Sequence, residues 1–371
     1  MKIQILQENL NKGVNIAQRS ISSKTQLPIL SNLLLKTDQN RLCISATNLE
    51  TGISLWLGAK IEEEGEITIP AKIITEIVSS LPAAKINLVS EKESLKISTE
   101  GYEATVNGIA ATEFPKLPSY RPDVLFSLPA EKLAEAINKV AFSAASDEGR
   151  PVLTGILLKI QEKTLSMVAT DGYRLSLKTI DLETPVKENI SLILPAKTLI
   201  EVARIIADGK EEKIKMGFTE EQNQVVFVFS EMEFFSRVIE GEFPDYEKII
   251  PQSSSSKIVL DKESFNRAVK LVSVFARDSA NIIKMKILKE SLEMSANSPQ
   301  VGENKSSLNM KLEGEESEIA FNYRFLQGFL NAVSSPEILL EINGPLSPGV
   351  FKEAKDNSFL HIIMPVRLQT E

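Results

Sequence analysis

The chain has 371 residues, 43% apolar and 25% charged, which is an ordinary globular composition with sequence enough for several cores. No apolar run approaches the ~18 residues that cross a bilayer, and one cysteine excludes a disulfide framework or a thiolate metal cluster. A formal charge of −8 argues at face value against a nucleic-acid partner, because phosphate binding is driven by Lys and Arg.

Met1-Lys2-Ile3-Gln4-Ile5-Leu6 alternates like a strand and does not open like a signal peptide, which predicts a cytoplasmic protein. A helix follows over about Gln7 to Ser20, with Leu6, Leu10, Ala17 and Ile21 near one face, although Gly13 weakens it. The lone Cys43 lies in the strand-like Arg41-Leu42-Cys43-Ile44-Ser45 and reads as a buried structural thiol. A second helix is predicted over about Ala71 to Ser80. Tyr102, Ala104 and Val106 then alternate as an edge strand.

From there the chain repeats itself. Pro28-Ile29-Leu30-Ser31-Asn32-Leu33-Leu34-Leu35-Lys36 returns as Pro151-Val152-Leu153-Thr154-Gly155-Ile156-Leu157-Leu158-Lys159, Ile69-Pro70-Ala71-Lys72 as Leu194-Pro195-Ala196-Lys197, and Glu113-Phe114-Pro115 as Glu242-Phe243-Pro244. The separations are 123, 125 and 129 residues, far longer than a solenoid period, so each copy is expected to be a domain with its own core. The second copy predicts a helix from Ala130 to Ala145, its stripe made by Leu133, Ala136, Ile137, Val140 and Ala141, and another over about Ala196 to Ala207. A worn third copy follows, with Asp261 as N-cap, a stripe of Phe265, Ala268, Val269, Val272 and Phe275, and a last helix over Tyr323 to Val333. Pro118-Ser119-Tyr120-Arg121-Pro122 and Pro251-Gln252-Ser253-Ser254-Ser255-Ser256 punctuate the chain, giving expected domains 1–121, 122–252 and 253–371. Two helices against many antiparallel strands make each copy α+β.

Net charge can hide a divided surface. Windows 7–20, 70–80, 130–150, 195–210, 261–277 and 323–333 carry +1, 0, −1, +1, +2 and +1, so the helices hold +4 against −12 for the rest. Arg267, Lys270 and Arg277 cluster on one side of their helix, a pattern that by itself also describes a solvated face.

Ala169-Thr170-Asp171-Gly172-Tyr173-Arg174-Leu175, Glu242-Phe243-Pro244-Asp245-Tyr246 and Met364-Pro365-Val366-Arg367-Leu368, in this order within three tandem copies, resemble the bacterial DNA polymerase III beta subunit family, the replicative sliding clamps. The resemblance covers the whole chain. It implies three clamp domains, a head-to-tail homodimer closed into a ring around duplex DNA, and helices lining the hole. It also implies sequence-independent contacts with DNA and partners that include the replicative polymerase and the clamp loader. Candidate DNA contacts are Arg19, Lys24, Lys72, Lys139, Arg150, Lys197, Arg204, Arg267, Lys270 and Arg277. Lys24 and Arg150 match basic positions of the family, and the others follow from helix placement.

The resemblance further implies a peptide pocket for a short extended motif bearing Gln, Leu and Phe. It maps onto Leu153, Thr170, Gly172, Tyr173, Arg174, Leu175, Pro244, Ile249, Ser347, Ile363, Met364, Pro365, Val366 and Arg367. Met and aliphatic side chains suit an adaptable cleft, Pro244 and Pro365 stiffen it, and Arg174 is expected to pair with a partner's carbonyls or acid. Ring closure is expected at Tyr102, Ala104, Val106 and Phe275; some members carry a large aromatic where this chain has Ala104. Gln369-Thr370-Glu371 extends past the usual family end. No cofactor, metal or catalytic residue is expected. His361 lies in an alternating apolar run and reads as a strand residue. A Mg²⁺-dependent nuclease built from the 50 carboxylates, and a peptide-binding scaffold without DNA, are the alternatives.

Overall fold

The computed structural model describes residues 1–21, 27–121, 125–183, 185–186, 189–219, 223–300 and 302–367. Lys24 and the tail Gln369-Thr370-Glu371 lie outside the described residues. Six α-helices are present among those described: α1 (Gln7–Ala17), α2 (Ala71–Ser80), α3 (Ala130–Ala141), α4 (Ala196–Asp208), α5 (Lys262–Ala276) and α6 (Tyr323–Ala332). Each overlaps a helix expected from the sequence, though α1 and α3 end earlier, at Ala17 and Ala141. Prolines 70, 129 and 195 occupy the N-cap positions of α2, α3 and α4. At α5 the Asp261 carboxylate accepts from Ser264 N at 2.8 Å, so the expected cap forms.

The chain folds into two compact units, residues 1–128 with 211–238, and residues 129–210 with 239–371. In the first, α1 and α2 accompany a five-stranded and an eight-stranded sheet. Gly13 has a reason to sit inside α1: a Cβ there would come within 2.6 Å of Leu57 Cδ1. The eight-stranded sheet joins material from two repeats, since Met232–Arg237 pairs antiparallel with Thr51–Gly58 and sets Phe234 opposite Ile53. Tyr102–Asn107 forms the outer edge of the five-stranded sheet. Cys43 is buried, and burial pushes its thiol pKa up.

In the second unit, a nine-stranded sheet crosses the next repeat boundary, where Arg174–Asp181 pairs with Asp356–Ile363. A four-stranded sheet ends in the edge strand Gly302–Asn309. One core of this unit gathers Phe265, Val269 and Val272 of α5, Leu326, Phe329 and Leu330 of α6, and strand residues such as Phe351 and Ile363. Both large sheets thus run across the boundaries between repeats. Strand pairing is satisfied across the boundaries because an unpaired internal edge would leave a row of N–H and C=O groups without partners.

Candidate DNA-facing helices and peptide pocket

Most of the proposed basic residues are on the surface. Arg19 sits in the 3-10 turn Gln18–Ser20 that extends α1, while Lys72 and Lys197 occupy the first turns of α2 and α4; all three are exposed. Arg204 approaches Glu201 at 3.3 Å and Arg267 approaches Glu263 at 2.8 Å, yet both side chains remain about two-thirds exposed at 66% and 70%. Lys270 and Arg277 are exposed on and just after α5. Pairs this open to water are screened and leave the cations available to phosphates.

Lys139 is a correction. It lies on α3 beside the apolar stripe, but its side chain is only 5% exposed and its ammonium contacts Glu353, Glu135 at 2.8 Å and Asp356 at 3.3 Å. Burial alone pulls its pKa down, but the hydrogen bonds it donates to Glu135 and Glu353 outweigh that and hold it well above the ordinary lysine range. Such a lysine is a structural ion, with no free face for DNA. Arg150 is exposed, and its Nη1 comes within 3.6 Å of the position a Cβ on Gly172 would take, so it lies beside the pocket turn.

Of the predicted pocket residues, Leu175 lies in an apolar cluster on the face of the nine-stranded sheet opposite the core that holds Ile363. Leu157, Val168, Leu175, Ile193, Tyr246, Val350 and Ile362 form a buried cluster there, with Val152, Leu177, Phe243, Ile250 and Leu360 packed against it. Tyr173, Ile249, Leu346 and Met364 stand at 62%, 38%, 60% and 39% exposure, large apolar side chains open to water. Pro244 and Arg367 are exposed, while Ser347, Pro365 and Val366 are half-buried. Ser347 belongs to the turn that also carries Leu346, its N–H donating to Gly344 O at 3.4 Å. Leu153 is buried in the turn Pro151–Thr154. The C-terminal segment is held by two backbone bonds, Met364 N to Tyr173 O and Val366 N to Ala320 O, each 2.8 Å.

The turn at residues 170–174 is built by its own side chains. Thr170 Oγ1 donates to Arg174 O at 2.7 Å and accepts from Gly172 N at 3.0 Å, and Asp171 Oδ1 accepts from Tyr173 N and Arg174 N at 2.9 and 3.0 Å. Gly172 has φ +92°, a conformation that favours glycine.

Two pocket assignments change. Ile363 is fully buried in the helix-side core, whereas Ile362 lies in the pocket cluster opposite Leu175; alternation along the strand sends neighbours to opposite faces. Arg174 is engaged within its own chain, with 16% of its side chain exposed. Its Nε bonds Asp171 Oδ2 at 3.0 Å, and its Cζ lies 4.8 Å from the Phe325 ring centroid and 5.5 Å from that of Phe142.

His361 is a strand residue, as expected. It is fully buried between Phe329 and Phe142, with Nδ1 at 2.8 Å from Ser176 Oγ, which in turn lies 2.8 Å from Ser143 Oγ. Burial first, and the Arg174 charge second, depress its pKa to about 3, so the ring is neutral at physiological pH.

At the proposed ring-closing edge, Tyr102 is 57% exposed and Ala104 is half-buried. Val106 is a correction: at 7% exposure it faces its own sheet's core, opposite Leu95. Beside Ala104 is a cavity of about 390 Å³ lined by Ile77, Leu81 and Ile97, with Glu76 and Glu103 at its polar parts. On α5, Phe275 packs against the core, while Leu271 and Val274, which sequence reasoning missed, are 53% and 48% exposed. Their signal was present as an i, i+3 apolar pair off the core stripe. No group of three or more His, Cys, Asp or Glu among the described residues is arranged to hold a metal. None of the described helices is long and apolar enough to cross a membrane.

Three clamp-type α+β repeats, joined through shared sheets and carrying basic residues on their helices, define the class of the DNA clamps. Comparison with known families agrees domain by domain: residues 1–118, 127–245 and 247–367 match the N-terminal, central and C-terminal domains of the DNA polymerase III beta subunit. The chain belongs to that family. It is 30% identical to the beta sliding clamp of Synechococcus elongatus over 377 residues, covering 100% of both chains, and 29% identical to that of Bacillus subtilis over 379 residues, covering 99% and 100%. Among solved structures it is similar to the Bacillus subtilis sliding clamp, with TM-score 0.95, 28% identity and 100% of each chain covered. It is also similar to a Pseudomonas aeruginosa clamp bound to griselimycin, with TM-score 0.93, 26% identity and coverage of 99% and 100%.

Proposed function

We propose that this chain is a DNA sliding clamp: a non-catalytic subunit that encircles duplex DNA as a ring of two copies and tethers the replicative polymerase, the clamp loader and other partners to it. The observation that carries the reading is the match of three consecutive beta-subunit domains over residues 1–367. The alternatives, a metal-dependent nuclease and a DNA-free scaffold, give way to it, since the family models and the relatives above are all clamp or polymerase subunits. The working domain division is 1–121, 122–252 and 253–371, and the protein acts in the cytoplasm.

Exposed Arg19, Lys72, Lys197, Arg204, Arg267, Lys270 and Arg277 support phosphate contacts that read no bases. The acidic remainder discourages DNA from binding elsewhere. Ring closure places the edge strand Tyr102–Asn107 of one copy against Gly302–Asn309 of the other, both outermost in their sheets. Heterologous contacts of this kind close into a ring when the rotation permits. Leu271 then fills the cavity beside Ala104, where some relatives carry an aromatic ring. The partner peptide lies on the apolar cluster around Leu175 and Ile362, gripped by Tyr173, Ile249 and Met364.

The test is topological. Load the protein on nicked circular DNA with a clamp loader, isolate the complex and linearise the circle; a ring slides off the ends. Equal retention on linear and circular DNA would sink the reading.

A further inference from the structure

We infer that the apolar pocket continues into a charged subsite, and that the peptide segment it receives carries an acidic side chain there. This rests on the peptide-pocket reading above and extends it. The cross-strand register sets Leu175, Ile362, Val350, Glu341 and Lys257 in one row across five adjacent strands. The first three belong to the apolar cluster, and the row turns charged at Glu341. A cavity of about 350 Å³ covers this second half, lined by Val350, Glu341, Lys257 and Lys352 and bounded by the connecting segment 251–254. Val350 is therefore shared by the pocket floor and the cavity, which makes the two surfaces continuous.

Charge decides what fits. Glu341 is contacted by Lys352 Nζ at 2.6 Å and Lys257 Nζ at 3.3 Å, so two ammonium groups face one carboxylate. Burial would raise the Glu341 pKa, but hydrogen bonds from Lys352 and Lys257 outweigh it and keep the carboxylate ionised. Glu313, opposite Lys257 on the edge strand, is exposed and does not line the cavity. Asn343 is occupied by the connecting segment, its Nδ2 donating to Ser253 O and its Oδ1 accepting from Ser255 N. Lys257, whose side chain is 50% exposed against 28% for Lys352, is thus the cation more open to an incoming group, and an acid is its complement. Neighbouring strands are about 4.8 Å apart, so Lys257 lies roughly 14 Å along the row from Ile362, the reach of about four extended residues.

Binding of three synthetic peptides to the full chain, followed by fluorescence anisotropy, tests this. Each bears Gln, Leu and Phe. One has uncharged flanks, one an Asp four residues before the anchoring Leu, and one an Asp four residues after it. One of the acidic peptides should bind about fivefold tighter than the uncharged one at low salt, the scale of a half-exposed ion pair. The gain should vanish in Lys257→Glu and shrink in Lys257→Gln, while both variants bind the uncharged peptide normally. Equal binding by all three peptides, or a gain that survives Lys257→Glu, would overturn the subsite alone. Failure of every peptide to bind would overturn the pocket, and the subsite with it.

Discussion

Lys139 and Glu353, 214 residues apart in sequence, form a buried ion pair that fastens α3 of the second repeat to the last hairpin of the third. Glu353 Oε1 also accepts from Ser334 N and Ser335 N at 2.9 Å each, just past the end of α6. Lys178, 7% exposed, joins the group through Asp356 at 2.6 Å. A buried pair gains little over an apolar substitute, but deleting one member strands the other. Lys139→Met should therefore lower stability by about 3 kcal/mol, whereas Lys139→Met with Glu353→Gln, which keeps an acceptor for Ser334 N and Ser335 N, should recover much of that. Urea denaturation of both variants measures the difference, and equal destabilisation by each would refute the coupling. DNA retention by the double variant, once folded, should match the parent, because Lys139 has no free face.

The same cluster and His361 set the acid limit of the fold. Glu353 and Asp356 are held below the usual carboxylate range by their hydrogen bonds, against the opposing effect of burial. Their stabilisation is complete above the unfolded values near 4 and is lost as pH falls below them. His361 acts earlier. Its unfolded pKa near 6.5 exceeds the folded value of about 3, so the unfolded chain binds the extra proton and stability declines as pH falls from about 6.5 toward 3. The slope is at most about 1.4 kcal/mol per pH unit from this group. His361→Gln should flatten the decline between pH 6.5 and 5 in urea titrations, and an unchanged slope would refute the assignment.

Helices were the legible part of this chain because each announces itself locally. The stripe of Leu133, Ala136, Ile137 and Val140, and Asp261 three residues before Ser264, fix α3 and the start of α5 without help from elsewhere. Lys139 was misread for the opposite reason: Glu135 is local, but the partners that bury it, Glu353 and Asp356, lie over 200 residues away. Ile363 was placed in the pocket in place of Ile362 because Phe359-Leu360-His361-Ile362-Ile363-Met364 is apolar at nearly every step. A strand buried on both faces gives no polar residue to set its phase. The shared sheets were equally hidden, since pairing of Phe234 with Ile53 is a matter of topology, not of local pattern.

Arg174 is a positioning residue for the pocket. It ties the Asp171 turn to Phe142, just after α3, and Phe325 on α6, so its loss should loosen Tyr173 and Met364 together. Arg174→Ala should weaken peptide binding about tenfold and cost about 1–2 kcal/mol of stability, through the lost ion pair and ring contacts. Arg174→Lys keeps the charge but not the planar stack, and should restore only part of either. A direct contact with the peptide would instead lower affinity with no change in the denaturation midpoint.

Leu271 offers the cleanest test of ring closure. At 53% exposure on α5 it takes no part in its own core, so replacing it leaves the monomer fold intact. Its proposed seat is the cavity of about 390 Å³ among Ile77, Leu81, Ile97 and Ala104. Leu271→Asp would bury a carboxylate in that apolar seat, beside the acids Glu76 and Glu103 at its rim. Dimer dissociation should strengthen by at least about a hundredfold in Kd, roughly 3 kcal/mol, as read by sedimentation equilibrium. Ala104→Trp fills the seat from the other side and should act in the same direction if Leu271 is its occupant. If both variants sediment as the parent does, the copies meet elsewhere. If they become monomeric with unchanged melting curves and still bind the peptide, the edge beside Ala104 is where the ring closes.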